Sequence, residues 1–154
     1  MQEISLINFT DLNEQERMMI LAWRNDERVA KFMKNRSVSQ EEHLKFIESL
    51  KERGDKRYFL VKEGEIYIGV IDFIDITKDS CEFGIYANPK LKGKGQILMQ
   101  TIIDYATKAL KIKELKSCAY NENEKATNLY RKFGFEIYDK NEQMSYMSLY
   151  LNLA

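Results

Sequence analysis

Residues 81–110 hold a strand, a tight turn and an amphipathic helix in unbroken succession. Cys81–Ala87 is an apolar, β-prone run that stops at Asn88-Pro89. The turn Lys90-Leu91-Lys92-Gly93-Lys94-Gly95-Gln96 follows. From about Gln96 to Leu110, apolar residues recur at Leu98, Ile102, Ile103, Ala106 and Leu110. That is the spacing of one helix face. A strand feeding a helix through a short turn belongs in a sheet with the helix packed across it. The turn also carries chemistry. A helix N-terminus has free N–H groups and a partial positive charge. Glycines let the backbone curl so that successive N–H groups face one anion. Lys90, Lys92 and Lys94 add charge, and the site suits a pyrophosphate; an ordinary connecting loop is the alternative. Neither G-x-G-x-x-G nor G-x-x-x-x-G-K-[ST] is present.

The flanking segments alternate in type. Residues 2–9 read as a strand. Thr10 is positioned to cap a helix running to about Asn25, with Leu12, Met19, Ile20 and Trp23 inward. A short helical piece is expected at Val29–Met33. Ser39-Gln40-Glu41-Glu42 is a capping box, opening a helix with Leu44, Ile47 and Leu50 as its stripe. Tyr58–Lys62 and Ile66–Ile74 read as strands joined by Glu63-Gly64-Glu65. After the glycine turn and its helix come a strand at Glu114–Ala119, a helix at Asn123–Phe133 and strands near 135–139 and 143–151. This order implies an α/β sandwich around a mixed sheet.

One proline and no low-complexity tract give no boundary within the 154 residues, so 1–154 is read as one domain. Twenty-four basic residues balance twenty-four acidic ones, which argues against a nucleic-acid binder. The longest apolar run, Met18–Trp23, is too short for a membrane span, and Met1-Gln2-Glu3 does not begin a signal peptide. Cys81 and Cys118 lack metal-ligand spacing and read as reduced, buried thiols. A lone histidine without clustered carboxylates suggests no metal site. These features point to a cytoplasmic protein, with a homodimer left open.

The segment Asn123-Glu124-Lys125-Ala126-Thr127-Asn128-Leu129-Tyr130-Arg131-Lys132-Phe133-Gly134-Phe135 is more specific. Asn123 can cap the helix or bind a ligand. Ala126, Leu129, Tyr130 and Phe133 share a face, and Gly134 can end the helix left-handed; an amphipathic helix with a core tyrosine is the alternative to a ligand site. The segment resembles the N-x-x-A-x-x-L-Y-x-x-x-G-F pattern of the GNAT superfamily of N-acetyltransferases. The glycine turn resembles that superfamily's Q/R-x-x-G-x-G/A acetyl-CoA loop, with Lys90 in the Gln/Arg place. An alignment anchored on Pro89 puts Lys92 there instead.

The resemblance implies a mixed, strongly twisted central sheet flanked by helices, with acetyl-CoA as cosubstrate. It implies cofactor contacts from Lys92, Gly93, Lys94, Gly95, Gln96 and Asn123, and from the backbones of Ile85 and Ala87, where the strand splays from its parallel neighbour. It gives Tyr130 as the general acid for the departing thiolate. Glu82 is the candidate base on the same strand, with a solvated carboxylate as the alternative.

The N-terminal half is similar to one branch, the N-acetyltransferases of pseudaminic acid biosynthesis, through Trp23-Arg24-Asn25, Phe32-Met33, Glu42-His43-Leu44-Lys45-Phe46-Ile47 and Gly69-Val70-Ile71-Asp72-Phe73. That likeness implies a UDP-linked 4-amino-4,6-dideoxy-N-acetyl-altrosamine as acceptor. Arg24 and His43 are then expected at the nucleotide. Met33 and Phe46 are expected to form an apolar wall, and Tyr86 to touch both substrates. Core packing or surface pairing is the alternative for each. A protein N-terminus as acceptor and a non-catalytic acetyl-CoA-binding module are the competing functions.

Overall fold

The computed structural model describes residues 3–35 and 37–152. Seven strands form one sheet: β1 Ile4–Asn8, β2 Arg57–Glu63, β3 Ile66–Ile74, β4 Ser80–Ala87, β5 Glu114–Tyr120, β6 Glu136–Lys140 and β7 Met144–Tyr150. Their order is β1-β2-β3-β4-β5-β7-β6. Every neighbouring pair is antiparallel except β4 and β5, which are parallel. The expected mixed sheet is therefore mostly antiparallel, with one parallel joint at its centre. Such a joint needs a crossover, and helix α4, Gly95–Tyr105, supplies it.

Alternation along the strands divides the core in two. Phe59, Val61, Ile71, Phe73, Cys81 and Phe83 face α4 and α5 (Glu124–Lys132), where Leu98, Met99 and Ile102 are fully buried. Each such side chain contributes about 1.5–3 kcal/mol. The residues between them, Leu60 and Val70 among them, face α1 (Glu14–Asn25) and α3 (Gln40–Ser49). Trp23, Ile20 and Ile47 close that side.

Several boundaries differ from expectation. Thr10 does not cap α1. Asn8 caps a short 3-10 turn over Phe9–Asp11, and α1 starts after Asn13, whose side chain accepts from Glu16 N–H while Glu16 returns the bond. Asn13-x-x-Glu16 is thus the operative box. Leu12 precedes the helix, though it is buried. The first strand begins at Ile4, and Gln2 lies outside the described residues. The second helical piece, α2, is Glu27–Ala30, held by Asp26, rather than Val29–Met33. Ser39 caps α3 as read, but the buried stripe is His43, Ile47 and Leu50, and Leu44 is only half-buried. The helix after the glycine turn ends in a π-turn over Ala106–Leu110. Cys81 is buried, but Cys118 is only half-buried.

Candidate active site

The parallel joint creates the site. β4 and β5 pair only through Ser80–Glu82 and Glu114–Lys116. Beyond Glu82 the two strands separate. The Phe83 carbonyl, left at the end of the ladder, accepts a hydrogen bond from Ser117 Oγ at 3.1 Å. The Asn88 N–H points the other way, to Ile68 O. By strand alternation, the N–H groups of Ile85 and Ala87 then face the opening. Backbone donors with no strand opposite them are suited to a ligand carbonyl or a developing oxyanion.

At the mouth of the opening sits the glycine turn. Gly93 has φ +74°, a conformation side chains disfavour. Lys94 is the N-cap of α4 and makes no side-chain cap bond, which leaves the first helical N–H groups without an intrahelical partner. Lys92, Gly93 and Gln96 are exposed. The Lys94 side chain is not turned toward an anion there. Its Nζ lies 2.8 Å from Glu63 Oε1 on β2, so only its backbone and its charge remain for the turn. Asn123 caps α5 by accepting from Ala126 N–H at 3.2 Å, which occupies its side-chain oxygen. Gly134, with φ +100°, ends that helix as expected, and Phe135 N–H returns to Tyr130 O.

Tyr130 is buried beneath the opening on the α5 side. Its ring packs edge-on against Phe83, centroids 5.2 Å apart, and against Phe135 at 6.0 Å. Burial holds the phenol well above its ordinary pKa, and the Asp72 carboxyl pushes the same way. The nearby Ser117 hydroxyl opposes them. The phenol therefore stays protonated and can donate.

The opposite side of the opening carries carboxylates. Glu82 is half-buried and accepts from the Cys118 thiol at 3.7 Å. Asp72 of β3 lies opposite Gly84 of β4, and Glu82 opposite Ile74. Strand alternation puts Asp72, Glu82 and Gly84 on one face. A methyl group at residue 84 would meet the Asp72 carboxylate, Oδ1 at 2.9 Å. The absent side chain is what lets that carboxylate lie across β4. Desolvation, then the Glu82 charge, raise the Asp72 carboxyl to about 7, against the Gly84 N–H and Lys56. The sequence singled out Glu82 and missed Asp72 and Ser117. A lone Asp inside an apolar strand, Val70-Ile71-Asp72-Phe73, was the available signal.

Of the remaining expected residues, Tyr86 packs at the edge of the α1/α3 core. Burial raises its phenol, Asp72 adds to this and Arg24 opposes it. Tyr58 is raised by the same causes, with Tyr86 as a further one. Phe46 packs on Tyr58, centroids 4.9 Å apart. Arg24 donates to Asn35 O at 2.7 Å, while its Nη1 is buried with no hydrogen-bond partner among the described residues. Met33 is half-buried in the turn after α2. Arg24, Phe46 and Tyr86 thus gather around Tyr58. His43 is drawn elsewhere: it is buried, and its Nε2 lies 2.9 Å from Arg17 O on α1. Burial lowers its pKa, so the neutral ring donates from Nε2 and braces α3 on α1. A nucleotide contact through that nitrogen would have to break the brace.

A glycine turn at a helix N-terminus, unpaired β4 donors in a splayed sheet and a buried tyrosine beneath them are the parts an acyl-CoA-dependent transferase uses. The Acetyltransferase (GNAT) domain model matches residues 7–136, and the chain belongs to that family. It is 48% identical over 146 residues to the acetyltransferase PseH of Campylobacter jejuni, covering 95% of this chain and 93% of the relative. The crystal structure of the C. jejuni N-acetyltransferase PseH in complex with acetyl coenzyme A matches with a TM-score of 0.85 at 45% identity, over 97% of this chain and 100% of that one. Spermidine N-acetyltransferase from Vibrio cholerae, with CoA and spermine, shares the fold at 21% identity and TM-score 0.84, over 96% and 95% of the two chains.

Proposed function

We propose that this acetyl-CoA-dependent N-acetyltransferase acetylates the 4-amino group of UDP-4-amino-4,6-dideoxy-N-acetyl-β-L-altrosamine, a step of pseudaminic acid biosynthesis for flagellin glycosylation. The observation that carries this reading is the likeness to PseH along nearly the whole chain, N-terminal half included. The acceptor face supports it. Arg24 has a buried guanidinium nitrogen with no protein partner among the described residues, suited to phosphate. Beside Tyr58 lies a cavity of 410 Å³ lined in part by Lys51, Arg53, Lys56 and Arg57. Lys51 and Arg53 are paired with Glu48 and Asp55, and the cations around the cavity suit a nucleotide's diphosphate, a group a peptide acceptor lacks. Met33, Phe46 and Tyr86 offer apolar surface to the deoxy-sugar. Lys92, Gly93, Gly95 and Gln96 take the CoA pyrophosphate on their backbone, and Ile85 and Ala87 polarise the acetyl carbonyl. Most of the acceleration comes from holding amine and thioester together. The reaction belongs in the cytoplasm, and no helix among the described residues is long and apolar enough to cross a membrane.

Thiol release from acetyl-CoA, measured with the UDP-linked 4-amino sugar beside a panel of peptides, tests the acceptor. The sugar is expected to turn over and the peptides not. Arg24→Ala should raise the sugar's KM about tenfold or more, with little effect on that of acetyl-CoA. Turnover of peptides and not of the sugar would sink the reading and leave the family intact.

A further inference from the structure

We propose that Asp72 is the general base of the acceptor site and that its carboxylate takes the proton of the incoming ammonium group. The inference rests on the acetyl-transfer reading of the site but not on which amine is acetylated.

Three placements carry it. First, Asp72 stands on β3 opposite Gly84. Its carboxylate occupies the space that a side chain at 84 would fill, with Oδ1 at 2.9 Å from the Cβ position, so it lies over β4. Second, Glu82 is the last β4 residue paired to β5. Gly84 is therefore where the two strands have come apart, and Asp72 is level with the start of the opening. An amine approaching over this face meets the Asp72 carboxylate before it meets the thioester below. Third, Glu82 shares the face one diagonal step away, and one of its two oxygens accepts from the Cys118 thiol at 3.7 Å. The face thus presents two carboxylates to a cation, which also draws the ammonium form in.

The charged surroundings set the working range. Glu82 raises Asp72, while Lys56 and the Gly84 N–H hold it down, with a result near 7. Asp72 in turn raises Tyr58, Tyr86, Tyr130 and Cys81, and Arg24 acts on both Tyr58 and Tyr86. A base near neutrality is ionised often enough to act and basic enough to accept a proton.

The protons balance. Of the three on the ammonium nitrogen, one remains in the amide. Asp72 takes one as the free amine forms, then returns it to water. The amine lone pair makes the C–N bond, and the carbonyl π pair moves to oxygen opposite the Ile85 and Ala87 N–H groups. The pair returns, and the C–S bond breaks with its electrons on sulfur. The last nitrogen proton leaves at this stage and makes up the one Tyr130 delivers to the thiolate.

The test is the pH profile of kcat in wild type, Asp72→Asn and Glu82→Gln, with the fold checked by circular dichroism and acetyl-CoA affinity by calorimetry. Wild type should lose activity in acid through an ionisation near 7. Asp72→Asn should lower kcat on the order of 10²–10³-fold, bind acetyl-CoA normally and lack that limb. Glu82→Gln removes the like charge beside Asp72, so the limb should persist and move to lower pH. Disappearance of the limb in Glu82→Gln would make Glu82 the base and overturn the proposal, even if Asp72→Asn failed to fold. So would an unchanged limb in a folded Asp72→Asn. If the UDP-linked sugar is not acetylated, that acceptor reading alone falls, and the same profiles are taken with glucosamine at high concentration. Absence of transfer to either amine would overturn both.

Discussion

Tyr130→Phe is the sharpest probe of proton delivery. It keeps the ring between Phe83 and Phe135, at 5.2 and 6.0 Å, and deletes only the hydroxyl. The structural loss is at most one contact with the neighbouring Ser117 hydroxyl, on the order of 1 kcal/mol. In a domain of this size that lowers Tm by about 2–4 °C. The catalytic loss should be larger. General acid catalysis is worth roughly 10²–10⁴-fold, or about 3–5 kcal/mol of barrier. Burial holds the phenol above its ordinary value, while a free thiol titrates at about 8.5. Tyr130 therefore acts as a hydrogen-bond donor to charge developing on sulfur, with transfer completed late. Two measurements check this. Single-turnover quench-flow with acetyl-CoA prebound should show kcat reduced by that factor and Kd for acetyl-CoA nearly unchanged, the pattern of an interaction made mainly in the transition state. The wild-type rate should also show no alkaline loss attributable to Tyr130 below about pH 10. Wild-type single-turnover rates in a folded Tyr130→Phe protein, or an alkaline limb near pH 9 that this substitution abolishes, would refute the reasoning.

At the glycine turn, Gly95→Asp places a negative charge at the first residue of α4, where the helix terminus favours an anion. Acetyl-CoA affinity by calorimetry should fall at least about tenfold. Because a Cβ there would come within 3.1 Å of Leu129 Cδ2, Gly95→Ala separates crowding from charge, and equal losses in both would remove the pyrophosphate from this turn. At the α1–α3 brace, burial lowers the His43 pKa, so the unfolded chain takes up its proton first. His43 stabilises fully above about pH 6.5 and this contribution is lost as pH falls through the folded value. Urea unfolding at pH 7.5 and pH 5 should show a smaller difference in His43→Gln than in wild type; an equal difference would mean that the ring does not titrate on unfolding.

Local order was legible in the amino-acid sequence wherever a single element carried its own signal. Periodicity placed Ala126, Leu129 and Tyr130 on one helix face, Ser39 and Glu42 declared the start of α3, and Asn88-Pro89 marked the end of β4. All of these are contacts within about four residues, and the backbone geometry of a helix or turn dictates them. Even here the cap expected at Thr10 gave way to Asn13, whose bond Glu16 returns.

What the tertiary structure alone decided depends on pairing between distant segments. A strand's period of two says which residues alternate, but not which neighbour it has or which face meets solvent. Asp72 became part of the site only because β3 lies beside β4 in a register that sets it against Gly84. Ser117 joined it only because the parallel ladder stops at Glu82 and leaves the Phe83 carbonyl to be satisfied. Long flexible side chains were settled the same way: Lys94 turned to Glu63, thirty-one residues away in sequence, and His43 to the Arg17 carbonyl, twenty-six residues away. A buried or half-buried polar group takes whichever partner the fold brings within reach, since leaving it unpaired costs about 1–3 kcal/mol. That partner is set by packing between elements rather than by spacing along the chain.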